Sequence, residues 1–348
     1  LFKEQRIQVY KGHDLMQLEM INEIGARLCV LNYGGRITGW YPSNQPDHSL
    51  VLAYENPMDY LTDTNYLGAI VGRVAGRVPH GEMKILDHKW PLSQNEGHHH
   101  LHGGDQGFSD VFWDYHYEET DSDLWLHLFY ASTHGEQGYP GKVNLKVTYV
   151  LKKDQDEIRM KVEAVSDQDT WLSIANHSYF NLTTEVDATI LGHQIQAPVE
   201  SVLALDDELI PTGELIEPEN TAFDIREKTS IRKIVDAQHP QIETAHGGID
   251  HFFIWQENKA QAPIRLFDPL SRQSLHITTT EPGAVIYTAQ KLETDQPLKG
   301  GNGTPFRGVC IETQRLPQVF SGLERPTCFI SADETYHSET VYTVSSME

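Results

Sequence analysis

Apolar and polar residues alternate with a period of two through most of this chain, and no long stretch carries the 3.6-residue period of an amphipathic helix. Val143, Leu145, Val147 and Tyr149 alternate with Asn, Lys and Thr, and Ile158, Met160 and Val162 alternate with Arg, Lys and Glu. KKDQDE between them reads as a turn, so the two runs form a hairpin. Trp113, Tyr115 and Tyr117 alternate as well; after ETDSD the run LWLHLFY is apolar on both faces, as in a strand buried between two sheets. Further short runs, RLCVLNY, LGAIVG, EMKIL, HFFIW, SLHITT, AVIYT, GVCIE and ETVYTV, are each bounded by Gly, Pro, Asn or Asp. The best helix candidate, KTSIRKIVDA, is short. Strand following strand argues against a βαβ sheet and predicts an all-β chain folded as a large antiparallel β-sandwich.

The 348 residues would suit about two domains of ordinary size. No Pro- or Ser-rich linker divides them, and HGG recurs at His102 and His246 with different flanks, so the expectation is a single domain over 1–348. Lys and Arg number 27 against 50 Asp and Glu, and the resulting charge of −23 repels phosphate backbones and anionic lipid headgroups. Neither nucleic acid nor membrane is an expected partner. No stretch approaches the ~20 apolar residues of a spanning helix, and the N-terminus lacks the apolar core of a signal peptide, which predicts a soluble, cytoplasmic protein. Leu1 is not an initiator Met, which leaves a trimmed start open. Cys29, Cys310 and Cys328 show no CxxC spacing and read as reduced structural thiols.

No GxGxxG follows a strand, and neither a Walker-type GxxxxGK[ST] nor a GxSxG elbow occurs, so redox cofactors and serine hydrolysis lose their main support. The 18 His concentrate instead at HHHLHGG, ANHSYF and HGGIDHF, which leaves proton transfer or metal binding. On a strand, His98, His100 and His102 would share one face, the His-x-His arrangement of a Zn or Fe site. The flanking Asn95, Gly97, Gly103 and Gly104 favour a loop, and a functional His, a metal site and a purely structural loop all stay open. His177 sits where the apolar run WLSIANHSYFNL turns briefly polar, and such a cluster needs partners or a ligand. A satisfied core His at a strand end fits that spacing too. Glu312 directly follows Val309, Cys310 and Ile311, at a position that a strand carries inward or leaves solvated at its end. Asp250 can cap the turn into HFFIW, and Arg73 and Arg77 in GRVAGR can be exposed loop cations.

Together these segments resemble the aldose 1-epimerases, the galactose mutarotases. YLGAIVGRVAGRV, a hairpin with LDHKW, HHHLHGGDQGFSDVFWD, ANHSYFNL, GGIDHFF, EPGAVIYTA and CIETQ follow one another in the family's order, from about residue 30 to the C-terminus. NHSYFNL, and LHGG followed by GF and W, are the specific signals. The resemblance implies a β-supersandwich, a general acid at His177, a general base at Glu312, and substrate-holding groups at Arg77, His102 and Asp250. Gly76 stands where the family pattern often has Asn, which would remove one sugar contact.

Mutarotation opens the hemiacetal ring of a free aldohexose such as galactose or glucose, rotates the aldehyde end and closes the ring on the other face. No redox step occurs, so neither a cofactor nor a metal is expected. Reference pKa values of ~4.3 for Glu and ~6.5 for His make Glu312 a carboxylate base and His177 a partly protonated acid near neutrality. The expected assembly is a monomer or homodimer. Two other classes compete: a catalytically inactive carbohydrate-binding protein on the same scaffold, and a metal-dependent sugar isomerase using the His-rich loop. A hexose-phosphate epimerase would need extra cations at the sugar's C6 end, and basic residues are sparse.

Overall fold

The computed structural model describes residues 1–85, 88–256, 262–317 and 327–346. Its strands assemble mainly into three sheets, and the ladders within them are antiparallel, in agreement with the sandwich expectation. Asp114–Glu119, Asp123–Ser132, Val143–Lys152, Glu157–Ser166, Thr335–Ser346, Gln273–Thr279, Ile264–Asp268, Gln194–Gln196 and Thr229–Ser230 lie side by side in a nine-stranded sheet. The hairpin expected around KKDQDE is there, with Val143 opposite Ser166. A six-stranded sheet runs in the order Tyr179–Phe180, Val309–Gln314, Gly283–Tyr287, Asp250–Trp255, Val199–Leu205 and Pro211–Ile216. Phe2–Tyr10, His13–Ile21, Arg27–Leu31 and Arg36–Tyr41 make a four-stranded sheet. Alternation sends Leu145, Val147 and Val162 from the first sheet, Phe253, Ile286 and Ile311 from the second, and Val30 and Trp40 from the third into one buried apolar cluster.

Two expectations change. LWLHLFY is not buried on both faces: Leu124, Leu126 and Leu128 enter the core, whereas on the other face His127 is buried but Phe129 is 40% exposed. LGAIVG supplies only the short strand Ile70–Val71. KTSIRKIVDA forms the short helix expected there, Ile231–Val235, and a second helix, Pro240–Thr244, follows that the periodicity did not signal. In the hairpin with LDHKW, Glu82–Ile85 pairs with His88–Pro91, while Leu86 and Asp87 lie outside the described residues. Among the described residues no helix is long and apolar enough to cross a membrane.

Candidate active site

The six-stranded sheet turns one face to the core and the other to a cavity, and period-two geometry decides which residues the cavity receives. Phe253, Ile286 and Ile311 point to the core, so Asp250 and Phe252, Val285 and Tyr287, and Glu312 and Gln314 point away from it. Strand register then aligns Glu312, Val285 and Phe252 in one cross-strand row, and Cys310, Tyr287 and Asp250 in the next. Loops from the rest of the chain enclose a cavity of about 600 Å³ over this face, a volume suited to a small molecule. Arg77, His102, His177, Asp250 and Glu312 all line it.

His177 lies between Ala175–Asn176 and Tyr179–Phe180, where its N–H donates to the Ala69 carbonyl at 2.8 Å and its own carbonyl accepts from Gly68 N–H at 3.0 Å. The backbone is thereby held at both ends of the residue. Its Nε2 stands 3.5 Å from Glu312 Oε1, and Cys310 Sγ lies 3.6 Å from its Nδ1. The His102 ring packs edge-on against it at 5.1 Å, with Tyr66 and Tyr179 alongside. Glu312 is 2% exposed, and its Oε2 has no hydrogen-bond partner among the described residues. A buried carboxylate oxygen left in that condition is costly unless a ligand satisfies it.

Arg77 is fixed before any sugar arrives. Its Nε and Nη2 donate to the two oxygens of Glu96 at 2.7 and 2.9 Å, and its Nη1 donates to Asp250 Oδ2 at 3.2 Å. The short strand that holds it pairs with His100–Leu101, which delivers His102 beside it. His102 adopts a left-handed φ of 50°, and its Nδ1 accepts from Gly76 N–H at 3.2 Å, which leaves the proton on Nε2 as a donor. The LHGG signal has a steric reason: a Cβ on Gly103, at φ +93°, would lie 1.8 Å from the Gly72 carbonyl oxygen.

Burial dominates the electrostatics. It pushes His177 down to about 4 and His102 well below the usual imidazole value, so both rings are neutral near pH 7. This overturns the partly protonated His177 expected from the reference value, which describes a solvated ring. Burial, reinforced by the Asp250 charge, raises Glu312 well above the ordinary carboxylate range. Burial also raises Asp250, against the opposing pull of Arg77. For Arg77 itself burial acts downward, and the Asp250 and Glu96 carboxylates outweigh it to raise the guanidinium further.

Other sequence candidates lie elsewhere. Arg73 is buried, not an exposed loop cation, and donates to Ser132 Oγ and to the carbonyls of Thr133, Pro140 and Gly141, a structural role. His98, His100 and His102 do not share a face: His98 is exposed, His100 is buried with Nε2 2.7 Å from the Tyr139 hydroxyl, and His102 enters the cavity. Only His100–Leu101 is strand there, because the pairing with Arg77–Val78 lasts two residues. Gln314 was missed, although its place two residues after Glu312 on a strand puts it on the same face. Its Oε1 is buried without a partner among the described residues, while its Nε2 donates to Ala75 O at 3.3 Å. The missing Cβ of Gly76 would sit 3.5 Å from that Nε2, so Gln314 borders the space where the family pattern often carries Asn. Nothing in the sequence signalled that Glu96 grips Arg77.

A family model described as aldose 1-epimerase matches residues 16–343. Galactose mutarotase of the pig, Sus scrofa, is 31% identical over 325 residues, covering 92% of this chain and 91% of that protein. Aldose 1-epimerase of Haemophilus influenzae is 30% identical over 310 residues, covering 88% of each. The crystal structure of galactose 1-epimerase from Lactobacillus acidophilus superposes with a TM-score of 0.88 at 24% identity, covering 100% of this chain and 99% of that one, a likeness of fold.

Proposed function

This chain belongs to the aldose 1-epimerase family, enzymes that interconvert sugar anomers, and we propose that Glu312 and His177 carry the protons of that reaction on free hexoses such as galactose and glucose. The observation that carries the proposal is the pair itself, Nε2 to Oε1 at 3.5 Å on one cavity wall, with Glu312 Oε2 unpartnered among the described residues. Ring opening takes the proton from the C1 hydroxyl to Glu312 as C1=O forms, and the breaking C1–O5 bond leaves an oxygen that receives a proton from His177. After rotation about C1–C2 the same transfers run backward on the other face, and both groups are restored. The buried pair shares one proton, and burial favours the uncharged arrangement with that proton on Glu312. Sugar hydroxyls that donate to the carboxylate favour its ionised form and move the proton to His177. Arg77, His102 and Asp250 hold the remaining hydroxyls in a geometry organised in advance, and Gln314 Oε1 accepts from one more.

Neither competing class is favoured. A binding-only scaffold has no use for the His177–Glu312 pair, and the His-rich loop disperses His98, His100 and His102 in three directions. The same proposal places the enzyme in the cytoplasm, supported by the free Cys29, Cys310 and Cys328. It treats the active species as a monomer or homodimer, since one chain supplies every group named. Polarimetry of freshly dissolved α-glucose and α-galactose tests it: the protein should speed the approach to equilibrium and leave the final rotation unchanged. Glu312→Gln and His177→Asn should each lower kcat by about 100- to 10,000-fold with unchanged circular dichroism. Wild-type protein that is folded yet no faster than buffer would return the binding-only reading to the front.

A further inference from the structure

Histidines that the catalytic pair leaves unused gather at the cavity rim. His80, in the turn Pro79–Gly81, meets His98 and His99: the His80 and His98 rings stack at 5.4 Å, the His98 and His99 centroids are 4.1 Å apart, and a ring nitrogen of each lies within 4.8 Å of the others. Glu208 reaches the cluster from the turn after Val199–Leu205, with Oε1 3.2 Å from His98 Nε2 and Oε2 3.5 Å from His99 Nε2. His99 is 5% exposed, and its Nε2 makes no hydrogen bond among the described residues. Its Nδ1 accepts from His80 N–H at 3.0 Å, so in the neutral ring the proton sits on Nε2, facing Glu208.

We propose that His80, His98 and Glu208 bind Zn²⁺ or a similar divalent transition-metal ion, with His99 Nε2–H holding the second oxygen of Glu208. Imidazole and carboxylate together suit zinc better than calcium or magnesium, which prefer oxygen alone. Tetrahedral zinc spaces its ligand atoms about 3.3 Å apart, and His98 Nε2 and Glu208 Oε1 already stand at 3.2 Å. His80 and His98 are exposed, so their rings can turn out of the stack to direct lone pairs at one point, with water as the fourth ligand. His99 cannot ligate through Nε2 while it carries the proton there, and it serves as the hydrogen-bonded outer partner that orients a ligating carboxylate. The bound ion would join three rim segments: Pro79 and Leu209 line the cavity, and Glu96 grips Arg77.

The test is isothermal titration of the full chain with zinc chloride, repeated on variants. One saturable site is expected that His98→Ala and Glu208→Gln each weaken by at least about tenfold, and His99→Phe by about 10- to 100-fold. The catalytic Glu312→Gln variant should keep it; loss of binding there would instead place the ion at His102, His177 and Glu312, whose ligand atoms also lie within 4.8 Å of one another. His98 and Glu208 are exposed, so their variants should keep wild-type circular dichroism, and His98→Ala should keep the wild-type mutarotation rate in the presence of chelator. Absence of saturable binding, or a site that survives His98→Ala, would overturn the proposal.

Discussion

The pH at which His177 and Glu312 hold one proton between them decides when the pair can work. With reference values that state would span only the interval from about 4.3 to 6.5. Burial reverses which group holds that proton, lowering His177 to about 4 and raising Glu312 well above its usual range. On acidification a second proton enters near 4 and removes the base; at high pH the last proton leaves Glu312 above the normal carboxylate range and removes the acid. The kcat/KM profile, which reports the free enzyme, should therefore show its acid limb near 4, well below the ordinary imidazole value. The two limbs belong to the pair and not to either residue alone. An acid limb at 6.5, measured by polarimetry across pH, would mean that His177 titrates as a solvated ring and that burial does not govern the site.

LWLHLFY shows at the scale of one strand how far alternation reaches. Its composition suggested two buried faces; the strand Asp123–Ser132 buries Leu126 and leaves Phe129 40% exposed. Aromatic residues on a sheet surface need only cross-strand neighbours, so apolarity alone does not reveal whether a second layer covers them. Leu126→Ala should cost about 2–5 kcal/mol in urea unfolding through the lost core contacts, and Phe129→Thr less than about 1 kcal/mol. Similar costs for the two would restore the two-faced reading. The same limit applies at the site. Period two makes Glu312 and Gln314, or Asp250 and Phe252, neighbours on one face, and that much was legible. Glu96 on Arg77 and Glu208 on His98 depend on which loops fold over that face, and local pattern carries no trace of them. His177 was legible as a site residue only through the resemblance, because its spacing also fits a satisfied core His, whereas the HHHLHGG loop by itself suggested a functional His and the resemblance singled out His102.

Across the whole molecule, the last strand decides whether the sheets behave as one unit. Thr335–Ser346 lies inside the nine-stranded sheet, pairing with Glu157–Ser166 on one side and Gln273–Thr279 on the other. It therefore bridges the hairpins of the first half to strands of the second. Tyr336, Tyr342 and Val344 from it are part of the core cluster, and Trp40 of the four-stranded sheet meets the Tyr342 ring edge-on at 6.3 Å. A domain boundary needs a place that few contacts cross, and this strand crosses any boundary drawn through the middle of the chain. Scanning calorimetry should show one transition with equal calorimetric and van't Hoff enthalpies, although chains of this length often populate intermediates. Deleting residues 335–348 should do more than lower the midpoint. It would open two long strand edges within the nine-stranded sheet and remove Tyr336, Tyr342 and Val344 from the core that the sheets share, so the cooperative transition itself should disappear. Two separable transitions in the full chain, or a truncated chain that still melts cooperatively, would show that the halves fold independently and that the final strand only joins them.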